Sequence, residues 1–198
     1  MLRGISAIAG RLACAGALLL PTWSGSADAE VRSRVQYSGY PVHGETAEEI
    51  WRDIGRKGPH QLERALYSQA EAEIHVRWNL TFASSKNACR VKSAVIEVDV
   101  NILLPDWVEQ ELGEPALRSA WNSYIAKVRR HEDHHKDIAL AAAEEMDQAI
   151  MAAPTHGNCA SLERYVSSKV AEILAEERAQ QAHFDHTDAP IMLKGSPE

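Results

Sequence analysis

Val128-Arg129-Arg130-His131-Glu132-Asp133-His134-His135-Lys136-Asp137-Ile138 carries two patterns at once. The first is helical. Leu117, Trp121, Tyr124, Val128, His131, His135, Ile138, Ala142, Met146 and Ile150 recur at spacings of three and four, one stripe down one face of a long helix. Pro115 suits its first turn, where a missing N–H costs nothing, and Pro154 with Gly157 should close it. The second pattern is chemical: H-E-x-x-H, with His131 and His135 on successive turns of the same face.

The two patterns meet at the histidines. They stand where Leu or Val would continue the stripe, and burying imidazoles costs desolvation unless partners satisfy them. A zinc ion about 2.0–2.1 Å from each nitrogen is such a partner. Glu132, next to the first ligand, is placed to take a proton from a water at the open coordination position, as peptide hydrolysis requires. A solvated, histidine-rich charged segment is the plain alternative. His134, at i+3 from His131, is a possible but less suitable ligand, because Glu132 favours the His131–His135 pair.

A third protein ligand is expected. An H-E-x-x-H-x-x-G-x-x-H extension is excluded, since Ile138 and Ala141 stand at its glycine and histidine positions. The candidates are Asp185, His186 and His183 in the segment His183-Phe184-Asp185-His186, and Glu163 on the following helix. That second helix is read from about Cys159 to Gln181, with Leu162, Val166, Val170, Ile173 and Leu174 as its apolar positions. The tail after Phe184 is poorly patterned.

Upstream, Ile74, Val76, Trp78, Leu80 and Phe82 alternate with Glu73, His75, Arg77, Asn79 and Thr81. Ala94, Ile96, Val98, Val100 and Ile102 alternate in the same way, so an antiparallel hairpin with one buried face is expected, turning at 83–87. His75 falls on its polar face and reads as solvated. Pro105 is expected to end the sheet region. Residues 34–43 read as a short edge strand, and Thr46 with Glu49 forms a capping box opening a helix through about Ile54, ended near Gly58-Pro59.

The N-terminus reads as an export signal. Arg3 and Arg11 precede the apolar run Leu12 to Leu20, and Ala27-Asp28-Ala29 offers a small-x-small cleavage pattern, giving residues 1–29 as signal peptide and 30–198 as one domain. The run is too short for a stable membrane anchor, which needs about 20 residues. Arg11 stands where a lipoprotein signal at Cys14 wants an aliphatic residue. Periplasmic or secreted localisation follows, in an oxidising compartment where the remaining Cys89 and Cys159 usually pair. Neither has a CxxC neighbour, which argues against thiolate ligands. Hydrophobic residues at 45% support a packed core, and a net charge of −7 with no basic stripe argues against a nucleic-acid partner.

The mature chain resembles a bacterial family known as predicted secreted zinc-dependent proteases. The likeness runs through Tyr40-Pro41-Val42-His43-Gly44-Glu45-Thr46, Gly58-Pro59, the Trp78 strand, Cys89 and Leu104-Pro105-Asp106-Trp107. It continues through Trp121, the zinc motif, Cys159-Ala160-Ser161-Leu162 and Phe184-Asp185, which is similar to the family's aromatic-Asp element. Beyond Asp185 the chain departs from the family's Thr-and-His pattern. The resemblance implies an exported zincin-like hydrolase and a Cys89–Cys159 disulfide, and it favours Asp185 as third ligand.

The expectation is therefore an α+β domain, a small antiparallel sheet packed against the long motif-bearing helix and a second, C-terminal helix. Its expected activity is that of a zinc metallopeptidase with His131, His135 and Asp185 holding Zn2+, Glu132 as base, and a peptide or protein as substrate. The rivals are an exported structural-zinc or inactive scaffold module, and a zinc amidase acting on cell-wall amides. Glu132 speaks against a purely structural site, which needs no base beside an open position.

Overall fold

A computed structural model describes residues 28–61, 66, 67 and 69–196. The expected signal peptide lies outside the described residues except for Asp28 and Ala29, which already belong to the first strand. The elements run β1 (Asp28–Val42), α1 (Ala47–Lys57), β2 (His60–Gln61), β3 (Leu66–Tyr67), β4 (Glu71–Ser85), β5 (Ala88–Trp107), α2 (Pro115–Met151) and α3 (Cys159–Thr187). A short 3-10 turn, Gln110–Leu112, leads into α2. The fold class is α+β, as the alternating and helical patterns indicate.

β5 is the centre of the three-stranded sheet, ordered β1-β5-β4. The β4–β5 hairpin is antiparallel, as expected, and β4 shows the alternating burial of a one-sided strand. Two of its boundaries differ from the sequence reading. The ladder continues through Ser84↔Cys89 and Ser85↔Ala88, which leaves only Lys86-Asn87 in the turn. A register shift between Thr81 and Phe82 lets Lys92 be skipped, so Cys89 and Val91 remain on the buried face despite the break in alternation.

β1 is an edge strand, as expected, but it joins β5 in parallel and makes the sheet mixed. A parallel neighbour needs a crossover, and here the chain passes through α1 and β4 before β5 is laid between the two. Pro105 does not end the sheet. The β4 ladder stops at Leu103, so β5 has one neighbour at Pro105 and tolerates proline as an edge would. The strand then carries Trp107 into the core, where its indole N–H donates to the Gly44 carbonyl at 2.9 Å.

α1 opens with both hydrogen bonds of the Thr46/Glu49 capping box and runs one turn past Ile54, to the Gly58 cap. α2 lies on the apolar face of the sheet. Its start meets the end of β5 through Trp107 and Trp121 (ring centroids 5.9 Å apart), and the loop beyond its end meets the start of β5 through the Cys89–His156 bridge. It therefore runs antiparallel to β5. Pro115 occupies its first turn.

The chain then reverses, and α3 packs back along α2 with Leu162, Val166, Val170 and Ile173 buried. α3 does not stop near Gln181 but continues to Thr187. Ala175 to Ala182 consists of strong helix formers, and the apolar stripe disappears there only because that face meets polar groups of α2. The Asp188 N–H caps the helix on the Phe184 carbonyl, and Pro190 follows.

The Cys89–Cys159 disulfide ties the first turn of α3 to the start of β5, with Cα atoms 5.1 Å apart and 70 positions of chain between them. Closing so long a loop restricts the unfolded chain. Replacing both cysteines by serine is expected to lower stability by about 2–4 kcal/mol, read as a lower denaturant midpoint at unchanged slope. Equal midpoints for both proteins would show that the bond adds nothing.

Candidate metal centre

The antiparallel return of α3 decides which side chains meet. α2 brings His131 and His135 to its α3-facing side, and Asp185 arrives opposite them from α3. Asp185 Oδ1 lies 2.8 Å from His135 Nε2 and 3.4 Å from His131 Nε2, and the two Nε2 atoms are 3.2 Å apart. Among the described residues these three form the one cluster with metal-ligand spacing.

The other three residues weighed for the third position are elsewhere. Glu163 is exposed and lies 22 residues before Asp185 on the same helix, about 33 Å along its axis. His183 and His186 are exposed and stand outside the cluster, and His183 lines a separate cleft with Ile138 and Glu176. His134 packs its ring against Phe184 at 4.1 Å between centroids and contributes no atom to the group.

The hydrogen bonds around the two imidazoles fix their protons. The Gln181 amide nitrogen donates to the His135 carbonyl (3.0 Å) and to Glu177 Oε1 (2.8 Å), which uses both of its hydrogens. Its amide oxygen, 2.5 Å from His135 Nδ1, is therefore an acceptor and requires Nδ1–H. At His131 the Asp188 carboxylate stands 2.8 Å from Nδ1, again an acceptor facing N–H, and this bond holds the Asp188 carboxyl below its usual range. With Nδ1 engaged in this way, Nε2 is the ring atom that each histidine turns toward Asp185.

Three atoms able to ligate a metal, two imidazole nitrogens and one carboxylate oxygen, thus converge on one point. Two of the three separations, 3.2 and 3.4 Å, are close to the edge of a tetrahedral zinc shell, about 3.3 Å for ligands at 2.0–2.1 Å, and the third is shorter at 2.8 Å. The donor set, two imidazole nitrogens and one carboxylate oxygen, is also one that zinc accepts. Gln181 and Asp188 supply outer hydrogen bonds of the kind that orient histidines in metal sites.

The core-facing member of the motif is Glu132, not the histidines. It is 6% exposed, whereas the side chains of His131 and His135 retain 21% and 13%. The buried line of α2 runs Val128, Glu132, Ala139, Ala143, Met146, so the stripe read from the sequence is correct at its ends and displaced at its centre. Burial pushes the Glu132 carboxyl up to about 7; His131 and the Ala72 backbone N–H pull against this, while Asp185 and Glu71 add to it. Asp133 has a different task. It accepts from Tyr37 Oη on β1 (2.5 Å) and from Lys136 (3.2 Å), clamping α2 to the sheet edge.

Phe184 covers the imidazoles, with ring centroids 4.7 Å from His131 and 5.2 Å from His135. Gln181 and Asp188 escaped the sequence reading because it ended the helix at Gln181. Their spacing of four before and three after Asp185 would have placed all three on one helical face.

No curated protein and no solved structure matches the chain. A family model does match, over residues 37–190, a span that includes the end of β1, β4, β5, α2, α3 and every residue of the cluster. The chain belongs to the family described as bacterial protein of unknown function (DUF922).

Proposed function

We propose that the protein is an exported zinc-dependent metallopeptidase. The observation that carries this reading is the convergence of His131 Nε2, His135 Nε2 and Asp185 Oδ1, with both Nδ1 protons directed outward to Asp188 and Gln181. Zinc held by these three residues would supply a Lewis acid that polarises a carbonyl and lowers the pKa of a water.

The chain's own groups do the rest. Glu132, buried beside the cluster and outside its ligand set, takes the proton of the attacking water as the new C–O bond forms. It returns that proton to the amine nitrogen as the C–N bond breaks. Asp188 and Gln181 keep the imidazoles in one tautomer and one orientation. Phe184 shields one side of the rings from water. A peptide is the substrate class that this set of groups serves most directly, and a cell-wall amide would be cut by the same parts.

Metal analysis combined with peptide hydrolysis tests the reading. The mature protein is expected to hold about one zinc per chain, and a His131→Ala, His135→Ala double variant to lose it. Glu132→Gln keeps the size and one acceptor oxygen of the carboxylate, so metal stays while the rate falls ~10²–10⁴-fold. A wild-type rate in that variant would remove Glu132 from the mechanism. Metal retained with no hydrolysis of any peptide or cell-wall amide by wild type would point to a structural site.

The outer hydrogen bonds give a separate check. Asp188→Ala removes the acceptor at His131 and is expected to weaken zinc binding about 10–100-fold, measured by competition with a chromophoric chelator. Unchanged affinity would mean that His131 needs no such support.

A further inference from the structure

Two cations stand within the turn of α2 that precedes His131. Lys127 and Arg130 on α2 are exposed, and neither makes an ion pair or hydrogen bond with any described residue. Some basic side chains are engaged, Arg77 with Asp99 and Glu97, Arg56 with Asp53, Lys136 with Asp133, while others such as Arg90, Arg118 and Arg178 are also free among the described residues but line no cleft beside the cluster. Lys127 and Arg130 are three positions apart and so share a face. With His131, Asp188 and Ile191 they line a cleft of about 400 Å³.

The charge balance of this cleft is the informative point. The chain as a whole carries −7, which repels anions at long range. Asp188, the carboxylate lining the cleft, is occupied by His131 Nδ1. The two cations outnumber the one carboxylate lining the cleft and make no ion pair with it among the described residues, and the same wall includes a ring of the metal cluster.

We propose that this cleft is a carboxylate-recognition subsite and that the substrates are acidic peptides. The assignment rests on the metallopeptidase reading for the site beside it. Arg130 offers a planar fork that matches a carboxylate, and Lys127 adds a mobile point charge. Lys127 precedes His131 by four residues, about 6 Å along the helix, which is close to two residues of extended peptide at ~3.3 Å each. The recognised carboxylate therefore sits about two positions from the bond that is cut. It belongs either to an internal Asp or Glu or to the peptide's free C-terminus, while Pro190 and Ile191 offer apolar surface to the adjoining chain.

The test uses the zinc-loaded mature protein and four fluorogenic peptides of one sequence. They carry Glu or Gln two positions from the cleaved bond, each with a free or amidated C-terminus. Wild type is compared with the Lys127→Gln, Arg130→Gln double variant. Binding of the same peptides, labelled, is followed by fluorescence anisotropy on Glu132→Gln protein with and without the two further substitutions. Carboxylate-bearing peptides are expected to show about tenfold higher kcat/KM and tighter binding in wild type, the scale of one charge-assisted contact. In the double variant that preference should vanish while the doubly neutral peptide is cut at the wild-type rate. The peptide pair showing the preference identifies the side-chain or terminal source. Equal binding of all four peptides overturns the proposal. So does a preference that survives the double substitution, which would belong to the metal alone. Absence of all cleavage would count against the metallopeptidase reading, and the anisotropy arm still decides the subsite.

Discussion

The register of α3 along α2 is the constraint on which the site depends. Each residue added to a helix turns its face by about 100°, so a slip of one position would carry Asp185 away from the histidines. Leu162, Val166, Val170 and Ile173 set the register by being buried, at about 1.5–3 kcal/mol for each such side chain. Those four lie in the first half of the helix. From Ile173 to Asp185 the axis advances about 18 Å with no buried apolar residue to guide it. The distal half is held instead at its far end, where Leu193 is buried and the Ile191 carbonyl accepts from Gln69. Gln69 also takes the hydroxyl of Tyr124 through its side-chain oxygen and that of Tyr40 through its carbonyl, which joins the tail to α2 and β1. With the disulfide at Cys159, α3 is fixed at both ends.

Much of this was legible in the sequence. Period-two alternation located both hairpin strands, the capping box located α1, and the three-four stripe located α2 over its full length. Those signals were strong because burial on one face left a regular trace. Extents were less legible where the trace was interrupted. The skip at Lys92 broke the alternation near the turn, and Pro105 looked like a terminator because the missing neighbour strand at that point is a matter of three-dimensional pairing. The parallel union of β1 with β5 had no local signature, since register across a crossover is decided by packing.

At the site, the residue types in the motif were visible and their environments were not. The stripe placed His131 and His135 in the buried line, whereas the structure turns Glu132 inward and leaves the imidazoles facing α3. A helix with two neighbours, a sheet and another helix, has two buried directions, and a single periodicity cannot say which residue faces which. The distal part of α3 was illegible for the opposite reason. Its face is polar because it meets histidines, so the absence of an apolar stripe was itself a product of the site. Gln181 and Asp188 could be recognised only once that segment was known to be helical.

This division also explains why a carboxylate can be buried beside a cluster of polar groups. A buried Glu without partners would be costly, and a hydrophobic residue at position 132 would pack better against the sheet. Glu132 is stabilised in place by the Ala72 N–H of the sheet edge and by His131, while Asp185 and Glu71 oppose its charge. The fold therefore gives up packing stability at the centre of its longest helix and recovers it at the ends, in the Trp107–Trp121–Tyr124 cluster and around Met146 and Ile150. Strong packing on both sides of a destabilised centre keeps the motif rigid without requiring the motif to stabilise the fold. The fold's stability therefore does not rest on the histidines or Glu132, and the three-residue cluster needs only the α2–α3 register to form.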